Sequence, residues 1–541
     1  MLKELRRAFA TGVACVALAA CQPDAADPAA GVTAASLHGD DPVATTEYGK
    51  VGGFVEDEVL VFKGVRYGAD TQPVRFAAPA EAEAWDGVQA AKAYGNTCPQ
   101  TATGNPGGLF SSWQPRPLPL MSEDCLFLNV WTPALEDGGK RPVMVWFHGG
   151  GFSSGNGSSN AYDGVRLARR GDVVVVTVNH RLNAFGHLYL ADYGERFADS
   201  GNAGALDMVL ALEWVRDNAE AFGGDPGNVM IFGESGGGAK VTTLMNMAAA
   251  EGLFHRAAVQ SGAWLQFVEA DAAKAATAQV VENLGLTSAT IDQILTLPEE
   301  QIREATRGTG AASGPVVDGR ALLGHPFTAE AQAWSAGVPM LIGWNRTEST
   351  MLGGAGNPEL FELTWESLPA ALKASYSDMD ADALVAKYRE LEPDSSPSDV
   401  YFHATTDGRF MRAHAEQAAR KAAMGGAPVY MYLFNWNTPV QEGMWRAPHA
   451  LEIGFVFDNV AKSESMSGVG DEQQKVADVM ADTWIAFART GDPNNGRVPQ
   501  WAPYTVETRP VMVLDETPEL VNDPRGEQMR QFDGREMGAN G

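Results

Sequence analysis

Hydrophobic and polar positions divide most of the 541-residue chain into two kinds of segment. Residues 142–147 (PVMVWF) and 173–178 (VVVVTV) are apolar almost without interruption. Both are rich in β-branched residues and end against glycine or polar residues, as expected of central parallel strands covered on both faces. Residues 205–222 instead carry apolar side chains at helical spacing and stop at Gly223-Gly224-Asp225-Pro226, which predicts a helix with a sharp end. A third buried strand is predicted at 229–232 (VMIF), followed after a glycine-rich turn by a helical run, AKVTTLMNMAAA. Strand and helix therefore alternate, which predicts an α/β layered sheet. Residues 365–424 are helical in pattern without an obvious strand and are expected to form a cap over the sheet's edge.

Composition narrows the class. Gly (59) and Pro (30) together fall well short of the quarter of the chain that marks low complexity. A net charge of −28 speaks against a nucleic-acid partner, which requires a basic footprint. It also disfavours electrostatic docking on an anionic membrane; solubility is the simpler reason for the charge.

The first residues look like an address. Lys3, Arg6 and Arg7 precede an apolar stretch over 8–20, too short for a stable membrane span. The stretch ends in Leu18-Ala19-Ala20-Cys21, which resembles a bacterial lipoprotein signal with Cys21 as the lipidated residue. The organisation expected is a signal peptide over 1–20, a flexible Ala/Asp/Pro-rich tether over 21–45, and one catalytic body over 46–541. The protein would then be exported, either periplasmic or held to a bacterial membrane through an N-terminal lipid anchor. In such an oxidising compartment Cys98 and Cys125 read as one disulfide; two buried free thiols are the alternative.

The chemistry centres on Gly233-Glu234-Ser235-Gly236-Gly237-Gly238, between the third strand and its helix. This is G-x-S-x-G in the strand–turn–helix setting that pushes a serine hydroxyl out of the sheet. Upstream, the strand over 142–147 runs into His148-Gly149-Gly150-Gly151-Phe152. A phosphate cradle is the competing reading, but no G-x-x-x-x-G-K-[ST] run exists. The pair instead matches an oxyanion hole built from the Gly150, Gly151 and Gly236 amides. A serine nucleophile needs a base. Of nine histidines, His38 lies in the tether, His148 in the loop, and His180 and His187 before the serine. His255 reads as packing, and His414 as a solvated residue on a polar helical face. His325, His403 and His449 are left, and His449 lies nearest the C-terminus, where the base is expected in this fold.

These residues resemble the type B carboxylesterases, the α/β-hydrolase branch that includes cholinesterases and lipases. The resemblance is carried by SEDCLFLNV at 122–130, HGGGF at 148–152, FGGDPGNVMIFGESGGG at 222–238, GWNRTE at 343–348, RAPHALEIGFVF at 446–457 and ARTGDP at 488–493. It implies an α/β-hydrolase fold, with a mostly parallel sheet, helices on both faces and a helical cap region. It also implies Ser235 as nucleophile, His449 as base, Glu348 as the acid orienting His449, and a Cys98–Cys125 bridge. The substrate implied is a small ester, hydrolysed through an acyl-enzyme without metal or cofactor. A non-catalytic binding relative, or an amidase, thioesterase or lactonase using the same triad, is the alternative. Two departures stand out: Gly236 occupies a position usually held by Ala, which would loosen the turn, and Arg66 lies in a run where Ile-Pro-Tyr-Ala is common. Phe110, Trp113, Phe152 and Trp264 are candidates for an aromatic pocket.

Overall fold

A computed structural model describes residues 38–101, 108–328 and 333–535. The signal peptide, Cys21 and most of the tether lie outside these residues. The tether's expected end does not hold, because Val43–Thr46 pairs antiparallel with Gly49–Gly52 in a small sheet.

The main sheet has eleven strands. In chain order they are β1 (Phe54–Glu56), β2 (Val59–Arg66), β3 (Phe127–Thr132), β4 (Arg141–Phe147), β5 (Val174–Val178) and β6 (Gly224–Glu234), then β7 (Arg256–Gln260), β8 (Met340–Asn345), β9 (Val429–Phe434), β10 (Pro510–Leu514) and β11 (Glu519–Asn522). Across the sheet the order is β11-β10-β9-β8-β7-β6-β4-β5-β3-β2-β1. From β5 to β10 all neighbours are parallel, and antiparallel strands close both edges.

One row shows why the apolar runs belong at the centre. Val130, Val176, Val145, Ile231, Ala257, Met340 and Val429 stand side by side on successive strands, and all are buried. Alternate residues of β4 enter two different cores, Val143, Val145 and Phe147 on one face and Met144 and Trp146 on the other. Side-chain alternation along a strand demands this when both faces are covered. Helices α1 (Ala203–Asn218) and α2 (Gly236–Met245) cover the first face. A long C-terminal helix, Asp471–Thr490, covers the second through Val476, Met480, Trp484 and Phe487.

The expected cap is helical throughout. It comprises Leu368–Ser375, Ala381–Leu391, Pro397–Thr406 and Arg412–Ala423, and the first three share a separate small core with Phe532. Its last helix packs on the body through Ala413 and Ala418. Cys98 and Cys125 are joined as a disulfide. Closing a loop of 27 residues contributes roughly 3–4 kcal/mol in the chain-entropy account.

Candidate active site

β6 delivers Ser235 to the end of the sheet. The serine adopts φ 57°, ψ −126°, outside the regions open to ordinary L-residues, which is the kind of strain that collects at functional turns. Its amide is tied to Gln260 O of β7 at 2.8 Å, and α2 begins at the next residue. The first amides of a helix have no internal acceptor, so they and the helix dipole favour negative charge at this point.

The glycine loop follows β4, the neighbour of β6. Gly150 and Gly151 both have positive φ, 87° and 61°, a conformation that glycine adopts without penalty. The loop lies directly on the start of α2: a Cβ added to Gly236 would sit 2.5 Å from the Gly151 nitrogen. The expectation that glycine loosens this turn is therefore reversed, because the Gly151 backbone fills the space a methyl group would need.

Glu348, the acid expected from the resemblance, opens a short helix, Glu348–Leu352. Glu348 lies just beyond β8 and is fully buried. Its Oε1 accepts from the Asn345 amide at 2.7 Å, and its Oε2 faces His449 Nδ1 at 2.5 Å. The loop holding His449 is fastened to the residues just before Glu348 by three bonds: Thr347 N to Ala447 O at 3.1 Å, Ala447 N to Thr347 Oγ1 at 3.0 Å, and Asn345 Nδ2 to Pro448 O at 2.8 Å. A carboxylate can only accept, so His449 carries its proton on Nδ1 and presents Nε2 as the basic nitrogen. Residues 101 positions apart in the chain thus meet in a buried pair. Glu234, next to Ser235, reaches to 3.2 Å of His449 Nε2, so the serine and the histidine share one end of the sheet.

Two further buried carboxyls adjoin this pair. Neither was singled out in the sequence, although one lies inside G-E-S-G and the other three residues beyond His449. Burial, with Glu452 and Glu348 nearby, raises the Glu234 carboxyl well above its ordinary range. Glu452 accepts from Asn345 Nδ2 at 2.6 Å, and burial followed by Glu348 raises it to about 7. Burial pulls His449 down, but the carboxylates of Glu234 and Glu348 outweigh it and hold the imidazole above its usual range.

His414 is not solvated. It is 1% exposed, its Nδ1 donates to Phe410 O at 2.6 Å, and its Nε2 accepts from the Ala263 amide at 3.3 Å. A π turn over Asp407–Met411 precedes its helix and changes which face meets the core. His403 bonds instead to Glu392 at 2.5 Å, and His325 to Glu269 at 2.8 Å. His255 accepts from the Val229 amide, a packing role.

The four aromatic candidates form two groups. Phe152 packs edge-on to Trp264 at 5.6 Å, whereas Trp113 packs on Phe110 at 4.9 Å and on Tyr162 at 6.2 Å. Arg66 is held by Asp124 at 2.5 and 2.8 Å and lies over the Phe127 ring. Among the described residues there is no cluster of three or more His, Cys, Asp or Glu able to hold a metal ion.

Residues 40–532 match a family model described as the Carboxylesterase family. The chain is 37% identical over 504 residues to the para-nitrobenzyl esterase of Bacillus subtilis (strain 168), covering 91% of this chain and 98% of that one. Among solved structures, the Geobacillus stearothermophilus carboxylesterase EST55 superposes with a TM-score of 0.77 at 37% identity, covering 91% of this chain and 100% of that chain. An esterase from Clostridium hathewayi described as able to hydrolyse aliphatic aromatic polyesters gives a TM-score of 0.78 at 34% identity, covering 92% and 98%.

Proposed function

Since the chain belongs to the carboxylesterase family and is a carboxylic-ester hydrolase, we propose that Ser235 is its nucleophile, His449 its general base and acid, and Glu348 the residue that orients His449. Ser235 Oγ attacks the ester carbonyl as His449 Nε2 takes its proton. The carbonyl oxygen becomes an oxyanion held by the Gly150, Gly151 and Gly236 amides. Collapse expels the alcohol, which takes the proton back from His449. Water activated by the same imidazole then releases the acid and frees the serine. The observation that carries this assignment is the buried Glu348–His449 contact of 2.5 Å at the end of the sheet where Ser235 holds φ 57°.

Replacing Ser235 with Ala is expected to lower kcat for p-nitrophenyl esters by at least ~10⁴-fold with the fold intact. An organophosphate should label Ser235 in the native chain and leave the variant unlabelled. Near-native turnover by Ser235→Ala, or labelling at another residue, would overturn the assignment.

The same reading extends to location. Residues 1–20 act as an export signal, Cys21 carries the lipid, and residues from Val43 onward form one catalytic domain. The Leu18-Ala19-Ala20-Cys21 run and the Cys98–Cys125 disulfide support export to an oxidising compartment.

A further inference from the structure

The glycine loop is held from behind. A peptide unit is planar and trans, so its carbonyl and the amide that follows point in opposite directions, and fixing one aims the other. The His148 ring donates from Nδ1 to Gly149 O at 2.8 Å, which aims the Gly150 amide away from the ring. Gly150 O accepts from the Ser153 and Ser154 amides at 3.3 and 3.1 Å and from their hydroxyls at 3.3 and 3.2 Å, which aims the Gly151 amide. The carbonyl at the root of the loop, His148 O, accepts from Lys240 Nζ at 2.8 Å.

Lys240 is an unusual residue to find there. Lysine is almost never fully buried unless paired, yet Lys240 is 0% exposed on α2. Among the described residues no carboxylate lies within 4.0 Å of its Nζ. The Phe152 ring lies 5.8 Å from its Nζ, and the carbonyl it meets belongs to His148, whose ring stacks on His180 at 4.9 Å. Burial drives the amine well below its ordinary range; both its neutral and its charged form can donate. Burying such a group opposes folding, and among the described residues the one hydrogen bond its side chain makes goes to the loop. No side chain separates the loop from the helix at Gly151 and Gly236, so their spacing depends on backbone contact and on this bond.

We infer that Lys240 is a positioning residue for the oxyanion hole: its amine, reaching from the nucleophile's helix to the His148 carbonyl, sets the glycine loop so that the Gly150, Gly151 and Gly236 amides converge. The inference rests on Ser235 as nucleophile and on those three amides as the hole.

A trifluoromethyl ketone tests it. Ser235 Oγ bonds to the ketone carbon, the C=O π pair moves onto oxygen, and the seryl proton passes to His449; the resulting adduct depends on the hole as the transition state does. Lys240→Met keeps the length and removes the donor. It is expected to lower kcat for p-nitrophenyl butyrate by roughly 10- to 100-fold. KM should stay within about 2-fold, and the ketone's inhibition constant should rise by the factor lost in kcat/KM. Lys240→Gln, a donor of shorter reach, should fall between Met and the native residue, and takes over the test if Met does not fold.

A folded variant with kcat and ketone affinity both within about 2-fold of native overturns the inference. So does a joint collapse of kcat, KM and Tm, or failure of both variants to fold, since either outcome marks a purely structural role. Failure of the underlying assignment looks different: the native chain itself would form no ketone adduct on Ser235.

Discussion

Glu234 and Glu348 flank His449 on its two nitrogens, at 3.2 and 2.5 Å. Burial holds the Glu234 carboxyl above its ordinary range; where it is ionised, negative charge on both sides favours the imidazolium, which would stabilise a proton taken from Ser235 by the proposed base and reduces the neutral fraction at a given pH. As the proposed base, His449 works only when neutral; kcat/KM is therefore expected to rise with pH through its raised pKa. Removing a flanking carboxylate lowers that pKa. Glu234→Gln is accordingly expected to shift the ascending limb of the kcat/KM profile to lower pH, as a profile taken between about pH 5 and 10 will show. A limb that stays in place would mean that Glu234 is uncharged beside His449. The sequence pattern passes over Glu234 because G-x-S-x-G leaves that position free. Its significance comes from His449, brought to it from more than two hundred positions away.

At the scale of elements, the strands over 142–147 and 173–178 were legible because a strand buried on both faces must be apolar at every position. β6 is longer than its apolar run implies: the expected helix stop at Gly224-Asp225 is already strand, with Gly224 opposite Arg141 across a bulge. The helix Arg412–Ala423 was legible as a helix but not in its orientation. His414, Gln417 and Lys421, polar and spaced along one face, are buried there. Gln417 accepts from the Trp264 amide at 2.7 Å and Lys421 donates to Ala336 O at 3.2 Å, so polar residues line an inward face without being left unpaired. The contact between the glycine loop and α2 yields a prediction of the same scale. Gly236→Ala places a methyl group against the Gly151 backbone, and backbone cannot swing aside as a flexible side chain can. A loss of about 1–3 kcal/mol in stability is expected, together with lower turnover, measured by urea unfolding and p-nitrophenyl ester hydrolysis. Unchanged values in both would show that the loop yields freely.

Across the whole molecule, the seven parallel strands bring the serine, the glycine loop and the acid to one end of the sheet, where an open α/β sheet offers its crevice. The N-terminal reading is tested at this scale as well. Cys21→Ser in the full-length chain is expected to move the protein from the membrane fraction to the soluble fraction of cells and to leave kcat unchanged, with loss of the lipid mass at the mature N-terminus. Equal membrane association of both chains would overturn lipidation of Cys21. The sequence by itself determined the layered α/β class, the central strands, the elbow around Ser235 and the glycine loop, because each depends on residues close together in the chain. It singled out His449 from His325 and His403 only by its position in the chain, and Glu348 was named only through resemblance. Only the tertiary structure decided that Glu348 meets His449 while His403 and His325 meet other carboxylates. It alone placed Glu234 beside His449, His414 in the interior and Lys240 behind the loop. These features depend on which distant segments are packed together, and a local pattern of polar and apolar residues carries no record of that choice.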